Sequence, residues 1–356
     1  MAPNINFFDT YYMAGMVEEI VPEQTFFLSR YFGETDEFAT DKILVEYQDG
    51  DHMMAAFVDP RAGDIPVDRD GYELHEFEPP MIAPSRILTM DDLKKRGFGE
   101  ALYAHTEPAE RARRLQLRDL TDLTRRITRR EEWMAVQTMI NNGVDVQEYI
   151  DAKTTGRVLP VRFYDTTKAN PSIYTPATAW NSFAVMQADI EAMCDGLTES
   201  GLPATDLVIG SSVWAAVKQF EDFQKQLDIK HMFIGDVASR IVAPGVTHVG
   251  TVDFNGYMLN ILVPKEFYRD ENGTAQRYFP VAGAMVTAPG CGKRYYGAVT
   301  QIPYGSDEPD TFVGQRIPKL VVDQDKDTRK LRLASRVLTA PKAKAPWRYA
   351  ANVLGN

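Results

Sequence analysis

The chain has 356 residues, of which 44% are hydrophobic and 25% charged, a composition that fits a globular protein with a sizeable core and excludes global disorder. Its formal net charge of -11 argues against a free nucleic-acid binder, which is ordinarily basic. Two cysteines, Cys194 and Cys291, are too few for a zinc ribbon or a stapled secreted scaffold.

Both thiols are therefore expected to be reduced, in a cytosol. The first residues lack a basic stretch followed by an apolar one, so no signal peptide is expected. No apolar run reaches the 18 residues of a membrane span. A single core rarely serves so long a chain, so one large or two intertwined domains are expected.

Residues 1–40 are aromatic and acidic. Phe7, Phe8, Tyr11, Tyr12, Phe26, Phe27, Tyr31, Phe32 and Phe38 are interrupted by Pro3, Gly15, Pro22 and Gly33. Rings at this density demand burial. Their short, broken clusters predict an extended arm laid across something else; a short helix docked on its own domain is the alternative. Lys42–Tyr47 and His52–Val58 read as strands about the turn Asp49-Gly50-Asp51, and Tyr72–Phe77 as another. Between them lies a stretch dense in Pro, Gly and Asp that includes Asp64, Asp68 and Asp70. So long a hairpin is marginal alone and is expected to pack on a partner.

Residues 107–142 carry the strongest helix signal. Thr106 stands as N-cap, Pro108 fits the first turn, and Leu120, Leu123, Ile127, Met134 and Ile140 form a helical stripe. Asn141-Asn142-Gly143 is a left-handed stop. The helix would be roughly 50 Å long, a spine. Val144–Ile150 and Arg157–Tyr164 follow as a hairpin, and residues 165–176 as a polar connector.

Residues 177–302 predict a compact α/β unit. Its elements are a helix at Thr178–Leu197, a strand at Leu207–Ile209, a cap at Ser211-Ser212 and a helix at Val213–Phe220. A hairpin follows at Val246–Val252 and Tyr257–Val263 about Asn255-Gly256, then strands at Tyr278–Val281, Ala284–Thr287 and Arg294–Thr300. Beyond 311, alternation at Phe312, Ile317, Leu320, Leu331, Leu333 and Val337 predicts strands returning to the spine.

This order of elements resembles the Hong Kong 97-type capsid fold, an α+β class. Local sequence resembles the lambda-type major capsid (capsid protein E) family. Phe26-Phe27-Leu28-Ser29-Arg30-Tyr31-Phe32 and Phe38-Ala39-Thr40-Asp41-Lys42-Ile43 are similar to its arm-to-loop junction. Met53-Met54-Ala55-Ala56-Phe57-Val58, followed by Pro60 and Gly63, resembles its next strand, and Phe77-Glu78-Pro79-Pro80-Met81-Ile82-Ala83-Pro84 its return segment. Weaker echoes run through Met134–Gly143 and Thr311–Ala340.

The resemblance implies an N-terminal arm (1–40), an E-loop (41–92), a P-domain with the spine (93–175 and 303–342), an A-domain (176–302) and a tail (343–356). It implies hexamers and pentamers closing into an icosahedral phage head around double-stranded DNA. Scaffolding, decoration and portal proteins are the further partners it implies. No membrane partner or cofactor is expected. Scaffolding, if used, is expected as a separate chain.

Charge is distributed in a way that suits such a subunit. Residues 1–100 hold 21 Asp/Glu against 8 Lys/Arg, whereas Thr328–Asn356 has seven bases and no acid. The spine carries Arg125, Arg126, Arg129 and Arg130. An acidic arm and loop facing a basic spine set register between copies. The candidate intersubunit contacts are therefore Phe26, Phe27, Tyr31, Phe32, Asp64, Asp68, Asp70, Arg125, Arg126, Arg129 and Arg130. The bland reading of the arginines is a solvated helix face with pairs such as Asp122–Arg126.

Enzyme motifs are weak. His75-Glu76-Phe77-Glu78 lacks the second histidine of a zinc helix, and Gly290-Cys291-Gly292-Lys293-Arg294 lacks the glycine spacing and hydroxyl of a phosphate loop. Asp64, Asp68 and Asp70 are spaced unlike an EF-hand. Cys194, beside Met193, reads as a buried small residue. His105, His231 and His248 show no triad spacing. No catalytic or metal residue is assigned. The competing readings are an encapsulin-like compartment shell and an α/β enzyme built on 177–302.

Overall fold

A computed structural model of the chain describes residues 13, 17, 23, 25–40, 42–48, 72–89, 108–149, 154–224, 240–323, 325 and 328–355. The expected strand His52–Val58, the cap Thr106, and Asp64, Asp68 and Asp70 lie outside the described residues.

The N-terminal segment forms a five-residue helix, α1 (Phe27–Tyr31), and a strand, β1 (Glu34–Glu37). Among the described residues, strands β2 (Ile43–Gln48) and β3 (Tyr72–Phe77) pair antiparallel only with each other, Ile43 opposite Phe77 and Gln48 opposite Tyr72. Alternation places Ile43 and Val45 in a core cluster while Leu44 is 50% exposed. Short strands β4 (Met81–Ile82) and β5 (Ser85–Thr89) follow.

Helix α2 (Pro108–Asn141) is the expected spine; its 34 residues span about 51 Å. Leu120, Leu123 and Ile127 pack on one side, and Ala135, Val136 and Met139 enter a different cluster further along. The left-handed residue at its end is Asn142, with φ 47°. Gly143 is needed for another reason: a Cβ there would collide with the Val161 carbonyl across the next hairpin. That hairpin, β6 (Gly143–Tyr149) and β7 (Thr155–Arg162), lies where expected.

A seven-stranded sheet has the order β10-β11-β12-β9-β15-β21-β8. Its members are β8 (Ile173–Tyr174), β9 (Asp206–Ile209), β10 (Arg240–Ala243), β11 (Val246–Phe254), β12 (Tyr257–Pro264), β15 (Ala284–Thr287) and β21 (Trp347–Ala350). Asn255 (φ 51°) and Gly256 (φ 99°) turn β11 into β12, as their sequence demands. Helices α3 (Phe183–Thr198) and α4 (Ser211–Val217) cover a core of Phe183, Met186, Ile190, Leu207, Ile261 and Val286. A small hairpin, β13 (Phe267–Arg269) with β14 (Ala275–Arg277), projects from this unit.

A second sheet of six strands is organised on the 14-residue β20 (Thr328–Pro341). It pairs with β16 (Gly292–Tyr296), β19 (Ile317–Asp323), β4 and β5. β1 joins β16 in parallel, and β17 (Val299–Gln301) with β18 (Asp310–Phe312) forms a separate ribbon. Leu331 and Leu333 pack on the spine's Leu120, Leu123 and Ile127.

Several expectations are corrected. α3 begins at Phe183, not Thr178, because the Ser182 side chain accepts the Val185 N–H and caps it. Ser211 and Ser212 lie inside α4, whose N-cap is Gly210. Tyr278–Val281 forms no strand: the Val281 carbonyl accepts the Ser212 and Val213 N–H groups at the start of α4. Arg294–Thr300 breaks at Gly297, which passes so close to Pro79 that a Cβ would sit 2.9 Å from its ring. Residues 343–356 are no separate tail, since β21 lies between β15 and β8 with Trp347 fully buried.

Candidate assembly interface

The first turn of α1 has N–H groups with no intrahelical acceptor, and its own N-cap residue, Phe26, offers no side-chain oxygen. The spine provides the acceptor. Glu132 Oε1 accepts the Phe26 and Phe27 N–H groups at 3.1 and 2.8 Å, and Oε2 accepts the Leu28 N–H at 2.9 Å. A carboxylate at a helix N-terminus also meets the positive end of its dipole.

The other end of α1 is fastened to the seven-stranded sheet. Arg30 donates through Nε and Nη2 to Asp206 of β9 at 2.5 and 2.8 Å, and the Tyr31 hydroxyl donates to the same carboxylate at 3.1 Å. Burial, reinforced by the Asp206 charge, raises the Tyr31 phenol well above its ordinary value. Arg294 Nε donates to the Phe32 carbonyl at 2.9 Å. The Phe32 ring lies over Gly292, where any Cβ would collide with it, and beside Trp347. α1 thus bridges the spine and the seven-stranded sheet.

Along the spine, Arg129 pairs with Glu23 at 3.0 Å, and Arg130 pairs with Glu271 on the β13–β14 hairpin while its guanidinium stacks over Trp133. Arg126 faces Asp122 one turn back at 3.7 Å. Arg125 is exposed and has no ion pair among the described residues. A groove of about 850 Å³ opens here, lined by Arg126, Arg129, Trp133, Pro84 and Phe267. Strand β5 is tied down close by, with Arg86 donating to Asp119 at 2.8 Å and to Asp122 at 2.5 Å. The spine, α1 and two sheets are thus locked into one scaffold that leaves open a groove lined by arginines together with Glu23, Asp270 and Glu271.

The family described as phage major capsid protein E matches residues 9–350. The chain belongs to this family. The major capsid protein of Enterobacteria phage P21 is 26% identical over 301 residues, covering 82% of this chain and 84% of that protein. The P21 prophage-derived major head protein of Escherichia coli O6:H1 matches to the same extent. Among solved structures, a prophage protein of E. coli CFT073 superposes with a TM-score of 0.64 at 16% identity, over 96% of this chain and 98% of that one. A phage-related protein of Bordetella bronchiseptica RB50 gives 0.53 at 9% identity, over 98% of both.

The fold is the Hong Kong 97-type capsid fold, and membership of the capsid protein E family favours a phage head subunit over an encapsulin-like shell. The role is structural, a component of the virion that associates with copies of itself. No helix among the described residues is long and apolar enough to cross a membrane.

The arm expectation is corrected for residues 26–32, while Phe7, Phe8, Tyr11 and Tyr12 lie outside the described residues. Phe26, Phe27, Tyr31 and Phe32 need no cover from neighbouring copies. Their own spine (Ala135, Val136, Met139) and own sheet (Val208, Met285, Trp347) bury them to 2% exposure or less. The short docked helix is the reading that holds. Asp64, Asp68 and Asp70 lie outside the described residues. Of the four spine arginines, three have partners within the chain.

Sequence reasoning missed Glu131, Glu132, Asp206 and Arg316. A signal existed for the first two. Glu131 falls in line with Ile127 and Met134, and Glu132 with Val136 and Met139, so each charge interrupts an apolar line of the helix. Nothing local marks Asp206, whose partners Arg30 and Tyr31 lie more than 170 positions away and Asn260 54 positions away.

Proposed function

We propose that the chain assembles into hexamers and pentamers that close into an icosahedral head enclosing double-stranded DNA. The arm (1–40), E-loop (41–92), P-domain (93–175 and 303–342) and A-domain (176–302) are its working parts, and residues 343–356 act with the A-domain. In this reading the E-loop lies over a neighbour's spine and P-domain. A scaffolding protein guides assembly in the host cytoplasm, a decoration protein binds outside, and a portal protein occupies one vertex. DNA is met through its phosphates without sequence specificity.

One observation carries the reading: among the described residues the β2–β3 ribbon pairs with no other strand and leaves Leu44 half exposed while Ile43 and Val45 are buried. A two-stranded ribbon is marginal unless something covers it. Its own core covers the face of Ile43 and Val45, a neighbouring copy covers the face of Leu44, and closed symmetry repeats the contact around the shell.

The test is expression with the scaffolding protein of its phage, followed by sedimentation and electron microscopy. Closed shells of megadalton size are expected. A chain that stays a small oligomer under those conditions overturns the reading.

A further inference from the structure

The two ends of α1 are seated by different chemistry. At the C-terminal end, Asp206 accepts from Arg30 and Tyr31 and takes a further donation from Asn260 Nδ2 at 3.2 Å. The Arg30 carbonyl accepts the Gly290 N–H at 2.9 Å. Arginine and aspartate ordinarily titrate far apart, on opposite sides of neutrality, so a pair of this kind keeps its charges across the neutral range. The hydrogen bond to Asp206 raises the Arg30 guanidinium further still.

At the N-terminal end the converging groups are acids. Glu132 is buried and holds the three α1 N–H groups. Glu23 comes from the arm, and Glu266 from the turn between β12 and β13, its Cγ packed so closely on Gly245 that a Cβ there would lie 2.9 Å away. Tyr278 closes the cluster, donating its N–H to the Glu266 carbonyl and its hydroxyl to the Arg129 carbonyl at 3.4 Å. Two cations face these acids, and both are already engaged. Arg129 donates to Glu23 Oε1, and Arg294 of β16, whose charge favours the ionised Glu132, donates to the Phe32 carbonyl. Among the described residues, Glu23 Oε2 and Glu266 Oε2 are buried with no donor.

A buried carboxylate oxygen without a donor is costly when charged and far less so when it carries a proton. Burial raises the Glu132 carboxyl to about 7. Burial, helped by the Glu132 and Glu23 charges, raises that of Glu266 to about 8. A raised acid supports the seated arrangement fully below its ordinary value near 4.5, and that support is lost as pH climbs through the raised value. The loss therefore falls on one end of α1 only. We propose that α1 is a latch hinged at Arg30–Phe32: when Glu132 and Glu266 give up their protons, the Phe26–Leu28 end lifts from the spine while the other end stays on the seven-stranded sheet. The Arg129–Glu23 pair lies on the lifted side, so opening also removes the Glu23 wall of the groove beside the spine. By reciprocity, whatever presses this end onto the spine takes up protons. The device belongs to a single subunit and does not depend on the self-assembly reading.

The experiment is amide hydrogen exchange on the whole chain as dilute, unassembled subunits between pH 6 and pH 9, corrected for intrinsic rates. Phe26, Phe27 and Leu28 report the lifting end, and the Gly290 amide, bonded to the Arg30 carbonyl, reports the hinge. Protection of the first three is expected to fall about tenfold relative to Gly290. The double variant Glu132→Gln with Glu266→Gln is expected to lose this decline and to keep the circular dichroism melt of the unmodified chain at pH 6. Equal loss at Gly290 and at Phe26–Leu28 overturns the hinge, and protection independent of pH overturns the latch. A decline that persists in the double variant also overturns it, because the protons then come from other groups. Should the double variant misfold, the contrast between the two ends in the unmodified chain still decides.

Discussion

Arg316 donates Nη1 and Nη2 to the two carboxylate oxygens of Glu131 at 2.7 and 2.8 Å, with side-chain exposures of only 11% and 1%. Tyr296 adds its hydroxyl to the same carboxylate at 3.3 Å, and Ser335 accepts from Nη1 at 3.3 Å. The bidentate geometry ties the segment before β19 to the middle of the spine. Glu132, the next residue, holds α1. Two consecutive carboxylates on one helix therefore grip two parts of the chain that are distant in sequence.

Removing one half of the buried pair strands the other. Glu131→Ala is expected to cost about 3–5 kcal/mol in a denaturant titration of unassembled subunits. The double change Glu131→Leu with Arg316→Met is expected to cost less than the single one, since no uncompensated charge remains. A double variant weaker than Glu131→Ala would contradict this account.

Because Phe26, Phe27, Tyr31 and Phe32 are buried by their own chain, their loss is felt before assembly. Phe27→Ala is expected to lower the stability of dilute, unassembled subunits by about 3–5 kcal/mol. Unchanged melting of the subunit, with a defect only in shells, would show that neighbours provide the cover after all.

Gly292 has no room for a side chain beneath Phe32. Gly292→Ala is expected to cost about 1–3 kcal/mol through overpacking and to raise protease sensitivity near residues 26–32. Gly273 is the control: a Cβ there would meet nothing within 4 Å, and its φ of 81° lies in the left-handed region that asparagine tolerates. Gly273→Asn is therefore expected to melt like the unmodified chain.

Glu132 gives the arm a pH dependence with a definite sign. Burial raises its carboxyl to about 7, more than the three N–H bonds lower it. Nearby Glu266 is raised to about 8 by burial and by the Glu132 and Glu23 charges. A raised acid contributes stability that is fully present below its ordinary value near 4.5 and is lost as pH climbs through the folded value. Amide-exchange protection at Phe26–Leu28, corrected for intrinsic rates, is expected to fall roughly tenfold between pH 6 and pH 9. Glu132→Gln should flatten that decline.

Reversing Arg125 and Arg126 to Glu tests the spine separately. Both are exposed, and the Arg126–Asp122 pair is a surface pair worth no more than about 1 kcal/mol. Subunit stability is expected to change by about 0.5 kcal/mol or less, while capsomer assembly is impaired. Shells of normal size and yield would remove the spine from the contact surface.

Local chemistry makes much of this architecture readable in advance. The spine, expected at 107–142, spans Pro108–Asn141, because an uninterrupted helical stripe and an Asn-Asn-Gly stop are strong short-range signals. The β11–β12 turn follows from Asn255-Gly256 for the same reason. What is not readable depends on distance along the chain. The fate of Phe26 and Phe32 is decided by residues such as Val208, Met285 and Trp347. The break at Gly297 answers to Pro79, and the loss of a strand at Tyr278–Val281 to the needs of α4. The candidate site is half legible: the spine arginines stand out as a charged run, but the buried carboxylates Glu131 and Glu132 reveal their roles only once Arg316 and α1 are brought to them.

The placement of β21 dictates a timetable. Its residues 347–350 are made after every other strand of the seven-stranded sheet, yet they sit between β15 and β8. During synthesis β8 has nothing to bond with until 172 further positions have been translated, from 175 to 346. A copy terminated before Trp347 lacks the strand that joins β15 to β8 and leaves its Phe32 ring uncovered on one side, so the last few residues made complete both the sheet and the seat of the first helix.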